Sequence, residues 1–254
     1  MTDAVSPAPL LSLKRLTRRY GGNVAVNDVS FDVAEGEILG IMGANGAGKT
    51  TLFAMIAGNT APSSGEILLD GKPVHGMPPE RINAMGVSRT FQIVRPFPAM
   101  TVLENVTVAA LYGRQRIRSM RAARDHAMEV LEETGLADRA ASPASQLNLA
   151  GRKRLEIARA LSTGPRVLLL DEVLAGLNAT EVTAALDLIS QVSERRRLSI
   201  VIIEHVMKVL MRLSDRIVVL HEGRKIVEGL PAEVANDPRV IKAYLGEQRH
   251  VRPA

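Results

Sequence analysis

Residues 43–50 read Gly-Ala-Asn-Gly-Ala-Gly-Lys-Thr, and they lie between an apolar run at 38–42 and a helical pattern at 50–57. This order is typical of a phosphate-binding loop, because glycines let backbone N–H groups approach phosphate oxygens and the following helix N-terminus adds partial positive charge. Lys49 could reach the outer phosphates of a nucleotide, and the Thr50 hydroxyl could ligate Mg²⁺. The segment predicts a nucleotide-binding α/β fold, and the alternative is a glycine-rich turn with an incidental lysine.

A second, acidic motif follows an apolar strand further along the chain. Residues 167–171 read Val-Leu-Leu-Leu-Asp, and Glu172 comes next. A buried strand would place Asp171 at the carboxyl edge of a sheet, where ligands bind in open α/β folds. Asp171 suits a contact to Mg²⁺ through water, and Glu172 could accept a proton from an attacking water. The alternative is a strand that simply meets solvent.

The distribution of apolar residues predicts the fold class. Fully apolar strands alternate with helical patterns, which favours an α/β fold with a mostly parallel sheet covered on both faces. Residues 11–33 alternate apolar and polar positions, which is typical of an antiparallel layer. We expect one domain at 10–248, with a core at about 10–95 and 165–248 and an α-helical subdomain inserted at about 96–164, between a flexible lead (1–9) and a tail (249–254).

Composition excludes several classes of site. The chain has no cysteine and no tryptophan, so disulfides, cysteine metal sites, thiol nucleophiles and aromatic-rich binding surfaces are not expected. Its apolar runs are too short to span a membrane, and its first residues lack a signal-peptide pattern. The net charge of +5 fits nucleic acid, an anionic membrane surface or an ordinary basic surface.

Three further polar side chains are candidates for the same site. His205 follows an apolar strand at 200–203 and could contact a γ-phosphate or polarise a water. Gln92 ends the sequence Arg-Thr-Phe-Gln, and Tyr20 precedes the first long strand. The alternatives are a structural histidine, a solvated glutamine and a partly buried tyrosine.

In this order the elements resemble the ATP-binding cassette (ABC) ATPases, over residues 11–246. The resemblance implies a P-loop NTPase (RecA-like) fold and an ATPase that uses Mg²⁺. It makes Tyr20 the aromatic that stacks on adenine, and residues 175–178 the D-loop.

The resemblance also assigns the residues of the site. The residues expected to contact the nucleotide are the adenine-stacking tyrosine, the phosphate loop and the start of the helix after it: Tyr20, Gly43, Ala44, Asn45, Gly46, Ala47, Gly48, Lys49, Thr50 and Thr51. Magnesium falls to three oxygen-bearing side chains: Thr50, Gln92 and Asp171. The residues expected to act in catalysis are the carboxylate that polarises water, the switch histidine and the Q-loop glutamine: Glu172, His205 and Gln92.

A narrower resemblance points to the ATPases of branched-chain amino-acid importers, in particular their longer, "G"-type component. It rests on the sequences at 86–92, 97–106, 175–178, 203–205 and 241–246. The resemblance implies a cytoplasmic subunit, peripheral on the inner face of the cell membrane. Its partners would be a second ABC ATPase subunit in a heterodimer, with a homodimer as the alternative, two membrane permeases and, indirectly, a periplasmic binding protein, with no nucleic acid.

Three apolar residues flank the Gln92 loop. Phe91, Phe97 and Met100 are candidates for the groove that receives a permease helix, and local core packing is the alternative.

Other functions remain open. An importer ATPase could serve another small solute, such as urea, amides or aromatic acids, since the binding protein and permeases select the solute. A nucleotide-gated subunit with one weakened ATP site is a second possibility. An ABC ATPase of nucleic-acid repair or translation is a third, but 254 residues leave no room for tandem cassettes or a long coiled coil.

The signature sequence departs from the family. Where the family has Leu-Ser-Gly-Gly-Gln, or Leu-Ser-Tyr-Gly-Gln in this branch, residues 147–151 read Leu-Asn-Leu-Ala-Gly. The resemblance implies that Asn148, Ala150 and Gly151 contact the ATP held by the opposite subunit. Either the side chain of Asn148 and the added Cβ of Ala150 weaken that contact, or the variant is tolerated with normal activity.

Two smaller features complete the sequence. Val173 stands where the family commonly has proline, and we expect little effect on chemistry. Five arginines lie at 114–124 with no acid among them, which is typical of a solvated helix face or of a patch that contacts anionic lipid or nucleic acid.

Overall fold

The computed structural model describes residues 8–90 and 96–248. Their strands are β1 (Leu11–Tyr20), β2 (Asn23–Val33), β3 (Ile38–Gly43), β4 (Ser64–Leu69), β5 (Lys72–Pro73), β6 (Val87–Arg89), β7 (Val167–Asp171), β8 (Ser199–Ile203), β9 (Arg216–His221) and β10 (Arg224–Gly229). Their helices are α1 (Lys49–Ile56), α2 (Pro79–Met85), α3 (Val102–Tyr112), α4 (Met120–Glu133), α5 (Leu149–Ser162), α6 (Ala179–Arg196), α7 (Met207–Leu213), α8 (Pro231–Asn236) and α9 (Pro238–Gln248). The tail at 249–254 and all but two residues of the predicted lead lie outside the described residues.

The chain forms two compact units. The first consists of the residues up to Met77 together with those from His205 onward, and the second is Pro78–Glu204. The second unit therefore holds three strands as well as the segment predicted to be a helical subdomain. The single domain at 10–248 and its inner boundaries stay predictions.

The first unit contains the antiparallel layer expected from the alternating pattern. Its four strands run in the order β2-β1-β4-β5. Leu11 and Leu13 on β1 pair in register with Val33 and Phe31 on β2, and all four side chains are buried. The alternation that was read from the sequence is thus the buried face of this sheet.

The strand that leads into the phosphate loop also lies in the first unit. β3 pairs in parallel with β9, which continues into β10 as an antiparallel hairpin. All six residues of β3 are buried. A strand buried on both faces needs the unbroken apolar sequence seen here.

The second unit contains three parallel strands in the order β8-β7-β6. Every residue of β7 and β8 is buried, including Ser199 and Asp171. The register sets Asp171 opposite Ile203 at the carboxyl ends of their strands. This arrangement confirms the prediction that Asp171 ends a buried parallel strand.

Helices α3, α4 and α5 pack against one another in the second unit. α3 begins with a capping box in which the Thr101 hydroxyl accepts from the backbone N–H of Glu104. The arginine-rich segment starts in the connection after α3 and only its last two arginines lie on α4. Its five arginines are exposed, so the predicted solvated helix face applies to Arg121 and Arg124 alone.

None of the helices among the described residues is both long enough and apolar enough to cross a membrane.

Candidate nucleotide-binding and catalytic site

The phosphate loop joins β3 to α1 in the first unit. Gly46 and Gly48 have φ angles of 80° and 98°, in the left-handed region that favours glycine. The turn between β9 and β10 anchors the loop, since the Gly223 N–H donates to the Ala47 carbonyl at 3.2 Å. The loop is therefore held by backbone from elsewhere in the unit as well as by its own turns.

Two glycines of the loop are required by close backbone contacts. A Cβ on Gly43 would lie 2.5 Å from the Leu220 carbonyl oxygen, and a Cβ on Gly48 would collide with the carbonyl oxygen of Ala25. Both contacts are shorter than a side chain allows. The loop is thus a cradle of backbone with no room for a side chain at these two positions, and its N–H groups could approach phosphate oxygens.

Lys49 lies inside the cradle with only 6% of its surface exposed. Its Nζ donates to the carbonyl oxygens of Gly43 and Ala44 at 2.6 and 2.9 Å. α1 has no acidic residue in its first turn and no side chain that caps its N-terminus. The ammonium and the helix N-terminus therefore make the loop positive, as an anion site needs. Thr50 is exposed at the start of α1, where its hydroxyl could meet a metal ion.

The prediction that Tyr20 precedes the first long strand is wrong, since Tyr20 is the last residue of the ten-residue strand β1. Of its surface, 46% is exposed. The Arg18 guanidinium carbon lies 4.5 Å from the centre of its ring. A two-residue turn leads from Tyr20 into β2, and the Ala25 carbonyl of β2 meets Gly48 of the phosphate loop. Tyr20 thus lies on a strand end close to the loop, with ring surface left for stacking on a base.

His205 belongs to the first unit by the division of the chain, and it follows β8 directly after Glu204. Its side chain is exposed. An imidazole in this position could donate to a phosphate oxygen.

Asp171 ends β7 in the second unit with 2% of its side chain exposed. The Nη2 of Arg89, at the end of the neighbouring β6, lies 2.7 Å from Asp171 Oδ2. The Thr90 hydroxyl accepts from the backbone N–H of Asp171 at 3.2 Å. The carboxylate is therefore held in a fixed orientation by the neighbouring strand. No group of three or more His, Asp or Glu side chains that could hold a metal occurs in 8–90 or 96–248.

Glu172 lies beyond the strand in an unusual backbone conformation. Its φ of 49° falls in the left-handed region. Its N–H donates to the Ile203 carbonyl at 3.1 Å, and its own carbonyl accepts from Lys153 Nζ at 3.1 Å. Leu174, two residues on, donates its N–H to Glu204 Oε1 at 3.2 Å. The Glu172 carbonyl also accepts from the Ala175 N–H at 3.2 Å, so the backbone that carries this carboxylate is held by four hydrogen bonds.

The altered signature sequence forms the start of α5. Asn148 is the N-cap, and its Oδ1 accepts from the Gly151 N–H at 2.9 Å. Its Oδ1 is therefore engaged in capping, and only its Nδ2 group could reach a phosphate. Ala150 adds a methyl group to the first turn, where the family has glycine.

The D-loop and the proline position follow Glu172. Gly176 has a φ of 80°, and Asn178 caps α6 in a capping box with Glu181. Val173 is 6% exposed, so an apolar side chain is accommodated where the family commonly has proline.

The Q-loop is described only in part. Gln92 and Phe91 lie outside the described residues. Phe97 is 45% exposed and lies under the Arg159 guanidinium, whose carbon is 5.2 Å from the ring centre. Asn105, fully buried on α3, accepts from the Phe97 N–H at 2.8 Å and fixes the segment that presents this ring.

The sequence reasoning missed three charged residues of the second unit. Arg89, Lys153 and Glu204 contact Asp171, Glu172 and the adjoining Leu174. One signal could have found them: each is a charged residue within an otherwise buried strand end or helix face.

Comparison with known proteins decides the family. A family model described as "ABC transporter" matches residues 26–175, and one described as "Branched-chain amino acid ATP-binding cassette transporter" matches residues 224–250. The chain belongs to the ABC transporter ATPase family. ABC ATPases bind ATP and couple its hydrolysis to transport, so the predicted activity and fold class are confirmed.

Curated relatives of this ABC ATPase cover nearly its whole length. It is 42% identical to the high-affinity branched-chain amino acid transport ATP-binding protein LivG of Salmonella typhimurium, over 94% of this chain and 98% of the relative. It is 41% identical to the corresponding protein BraF of Pseudomonas aeruginosa, with the same coverage.

Solved ABC cassettes have the same fold. The ADP conformation of MJ1267 matches with a TM-score of 0.86 and 26% identity, over 94% of this chain and 99% of that one. A dimeric post-hydrolysis state of MJ0796, bound to ADP and phosphate, matches with a TM-score of 0.77 and 25% identity, over 87% and 98%.

We predict that Gly48→Ala lowers the affinity for ATP by about tenfold or more, because the added Cβ meets the Ala25 carbonyl and φ is positive. Equilibrium binding of a fluorescent ATP analogue measures the change. Gly71→Ala is the matched control, since Gly71 has a φ of 71° with open space around it. Unchanged affinity in Gly48→Ala would contradict the cradle described above.

We predict that Arg89→Met lowers the free energy of unfolding by about 3–5 kcal/mol, because it leaves the buried Asp171 carboxylate without this cation. Arg15→Met is the control, since the Arg15–Asp28 pair has 86% and 57% of its side chains exposed and is expected to be worth less than about 1 kcal/mol. Urea denaturation at neutral pH compares the two variants. Equal losses in both would show that burial does not strengthen the Arg89 contact.

Proposed function

We propose that this ABC ATPase is the ATP-binding and hydrolysing subunit of an importer for branched-chain or related amino acids. The observation that carries the proposal is the phosphate cradle at Gly43–Lys49 in a chain 42% identical to LivG along 94% of its length. The match of residues 224–250 to the branched-chain family model supports the same solute class.

The first unit would bind the nucleotide. Backbone N–H groups of the loop and the start of α1 would hold the phosphates, with Lys49 supplying positive charge from inside the cradle. Thr51, on the first turn of α1, would contribute to the same contacts. Tyr20 would stack on adenine with the ring surface that Arg18 leaves exposed.

We assign a magnesium ion to Thr50 and Asp171 by the chemistry of their side chains. An exposed hydroxyl at Thr50 and an oriented carboxylate at Asp171 are the oxygen ligands that Mg²⁺ accepts together with phosphates and water. We assign Gln92 to the same ion from the resemblance alone. When bound, Mg²⁺ neutralises charge on the β- and γ-phosphates.

Hydrolysis would depend on Glu172 and His205. Glu172 would accept a proton from the water that attacks the γ-phosphorus, while the bond to the bridging oxygen of ADP breaks. His205 would donate to a γ-phosphate oxygen and stabilise the charge that develops there. Gln92 would complete the arrangement from the Q-loop.

The active form would be a dimer of ATPase subunits beneath two membrane permeases. The likeness to a dimeric cassette bound to ADP and phosphate supports the dimer. We propose a heterodimer with a second ABC ATPase, peripheral on the cytoplasmic face of the cell membrane and served indirectly by a periplasmic binding protein. In that dimer Asn148, Ala150 and Gly151 would face the ATP bound to the second subunit.

The solute class is tested by reconstitution. The permeases, second ATPase and binding protein encoded by neighbouring genes are placed with this chain in proteoliposomes. We expect leucine, isoleucine or valine to stimulate ATP hydrolysis and to be taken up, because the LivG and BraF relatives are named for that transport. Stimulation by urea, an amide or an aromatic acid instead would assign the other solute class, and no stimulation by any would contradict an importer.

We predict that Glu172→Gln lowers the ATPase rate about 100-fold or more and leaves ATP binding intact, because the amide cannot accept a proton. Steady-state hydrolysis and equilibrium binding measure the two effects in the assembled complex. Glu194→Gln, on the exposed side of α6, is the matched control and should hydrolyse ATP normally.

Glu172→Gln also tests whether the altered signature sequence at 147–151 weakens the ATP site of the second subunit. If Ala150 and Asn148 weaken the second subunit's site, Glu172→Gln reduces hydrolysis more than the equivalent substitution in the second subunit. Equal losses would mean that the signature variant supports normal activity.

A further inference from the structure

The helix that begins with the signature sequence carries a line of buried charge. Lys153, Glu156 and Arg159 lie three residues apart on α5. Lys153 and Glu156 are only 8% and 7% exposed. Burying a charged side chain costs free energy because the charge leaves water. Each buried charge on this face therefore needs hydrogen bonds or an opposite charge to offset that cost.

Lys153 finds such a partner in the backbone of Glu172. Its Nζ donates to the Glu172 carbonyl at 3.1 Å, from a residue 19 positions earlier in the chain. Burial lowers the pKa of Lys153, and the carboxylates of Glu204, Glu156 and Glu172 oppose that change. The cation is thus directed at the one loop of the second unit that carries the proposed proton acceptor.

Glu172 needs this support because of its conformation. A non-glycine residue in the left-handed region is strained by about 1–2 kcal/mol, and it persists only where neighbours fix it. The Ile203 carbonyl holds its N–H, Lys153 holds its carbonyl, and Glu204 holds the N–H of Leu174. Without Lys153 the Glu172 carbonyl keeps only the N–H of Ala175, three residues further on, among these contacts.

We propose that Lys153 is a positioning residue for ATP hydrolysis, which acts by fixing the backbone of Glu172 so that its carboxylate points at the attacking water. The proposal rests on the proposed role of Glu172 as proton acceptor. Lys153 acts through the backbone of Glu172, to whose carbonyl its Nζ donates. Its effect is therefore on the rate of hydrolysis and not on the affinity for ATP.

The test compares Lys153→Met, Lys153→Arg and Lys153→Gln in the assembled complex, with kcat, KM for ATP, equilibrium ATP binding and Tm measured for each. We expect Lys153→Met to lower kcat about tenfold or more with KM changed less than about twofold. Lys153→Arg keeps a charged donor and should recover most of kcat. Where Lys153→Met is unstable, Lys153→Gln replaces it, since it keeps a donor on a shorter side chain and should also lower kcat.

Arg154→Met is the matched control. It removes a charge from the next residue of α5, whose Nη1 lies beside Gly135. We expect its kcat to equal that of the unchanged protein.

Three outcomes would overturn the proposal. They are an unchanged kcat in Lys153→Met, a loss of kcat matched by an equal loss of ATP affinity, or a failure of Lys153→Arg to restore the rate while its Tm is normal. Glu172→Gln, assayed in parallel, separates the two ideas. An active Glu172→Gln would reject the proposed role of Glu172, whereas an inactive Glu172→Gln with a fully active Lys153→Met would reject only the role of Lys153.

Discussion

The close approach of backbone at the phosphate loop constrains everything around it in the first unit. Gly43 lies against the carbonyl of Leu220 on β9, and Gly48 lies against the carbonyl of Ala25 on β2. One loop is therefore packed against backbone of both the parallel strands and the antiparallel layer. A backbone carbonyl cannot move aside by changing rotamer, as a side chain can. The distance between these strands therefore determines where the loop lies, and the loop limits how closely the strands pack.

The second unit depends on a different kind of constraint, which is compensation of buried charge. Asp171 is buried with Arg89, and the cation of Lys153 is buried against the backbone of Glu172. A buried pair contributes little net stability compared with an apolar one, so these residues are costly choices for stability alone. Such buried charges are expected where a carboxylate must be held in one orientation for catalysis or ligand binding.

The sequence was most informative where structure is set locally. The phosphate loop, the apolar β7 and β8 and the hairpin of β9 and β10 follow from glycine conformation and hydrophobic period, which a short segment displays by itself. Arg89 and Lys153 could not be assigned in this way. Arg89 meets Asp171 across 82 positions of sequence, through the parallel register of β6 and β7, and no local pattern reveals that pairing. The roles of Gln92, Glu172 and His205 come from resemblance and chemistry, and they stay predictions.

The contacts between α5 and the loop after β7 have a consequence for how this sequence can vary. Lys153 lies on α5, Glu172 follows β7 and Glu204 follows β8, yet their contacts meet at the backbone of residues 172–174. A substitution at one of them changes the effect of a substitution at either of the others, so their free energies are not additive. Among descendants of this chain the three positions are therefore expected to change together or not at all. An exchange of α5 between relatives would preserve these contacts only if the loop after β7 were exchanged as well.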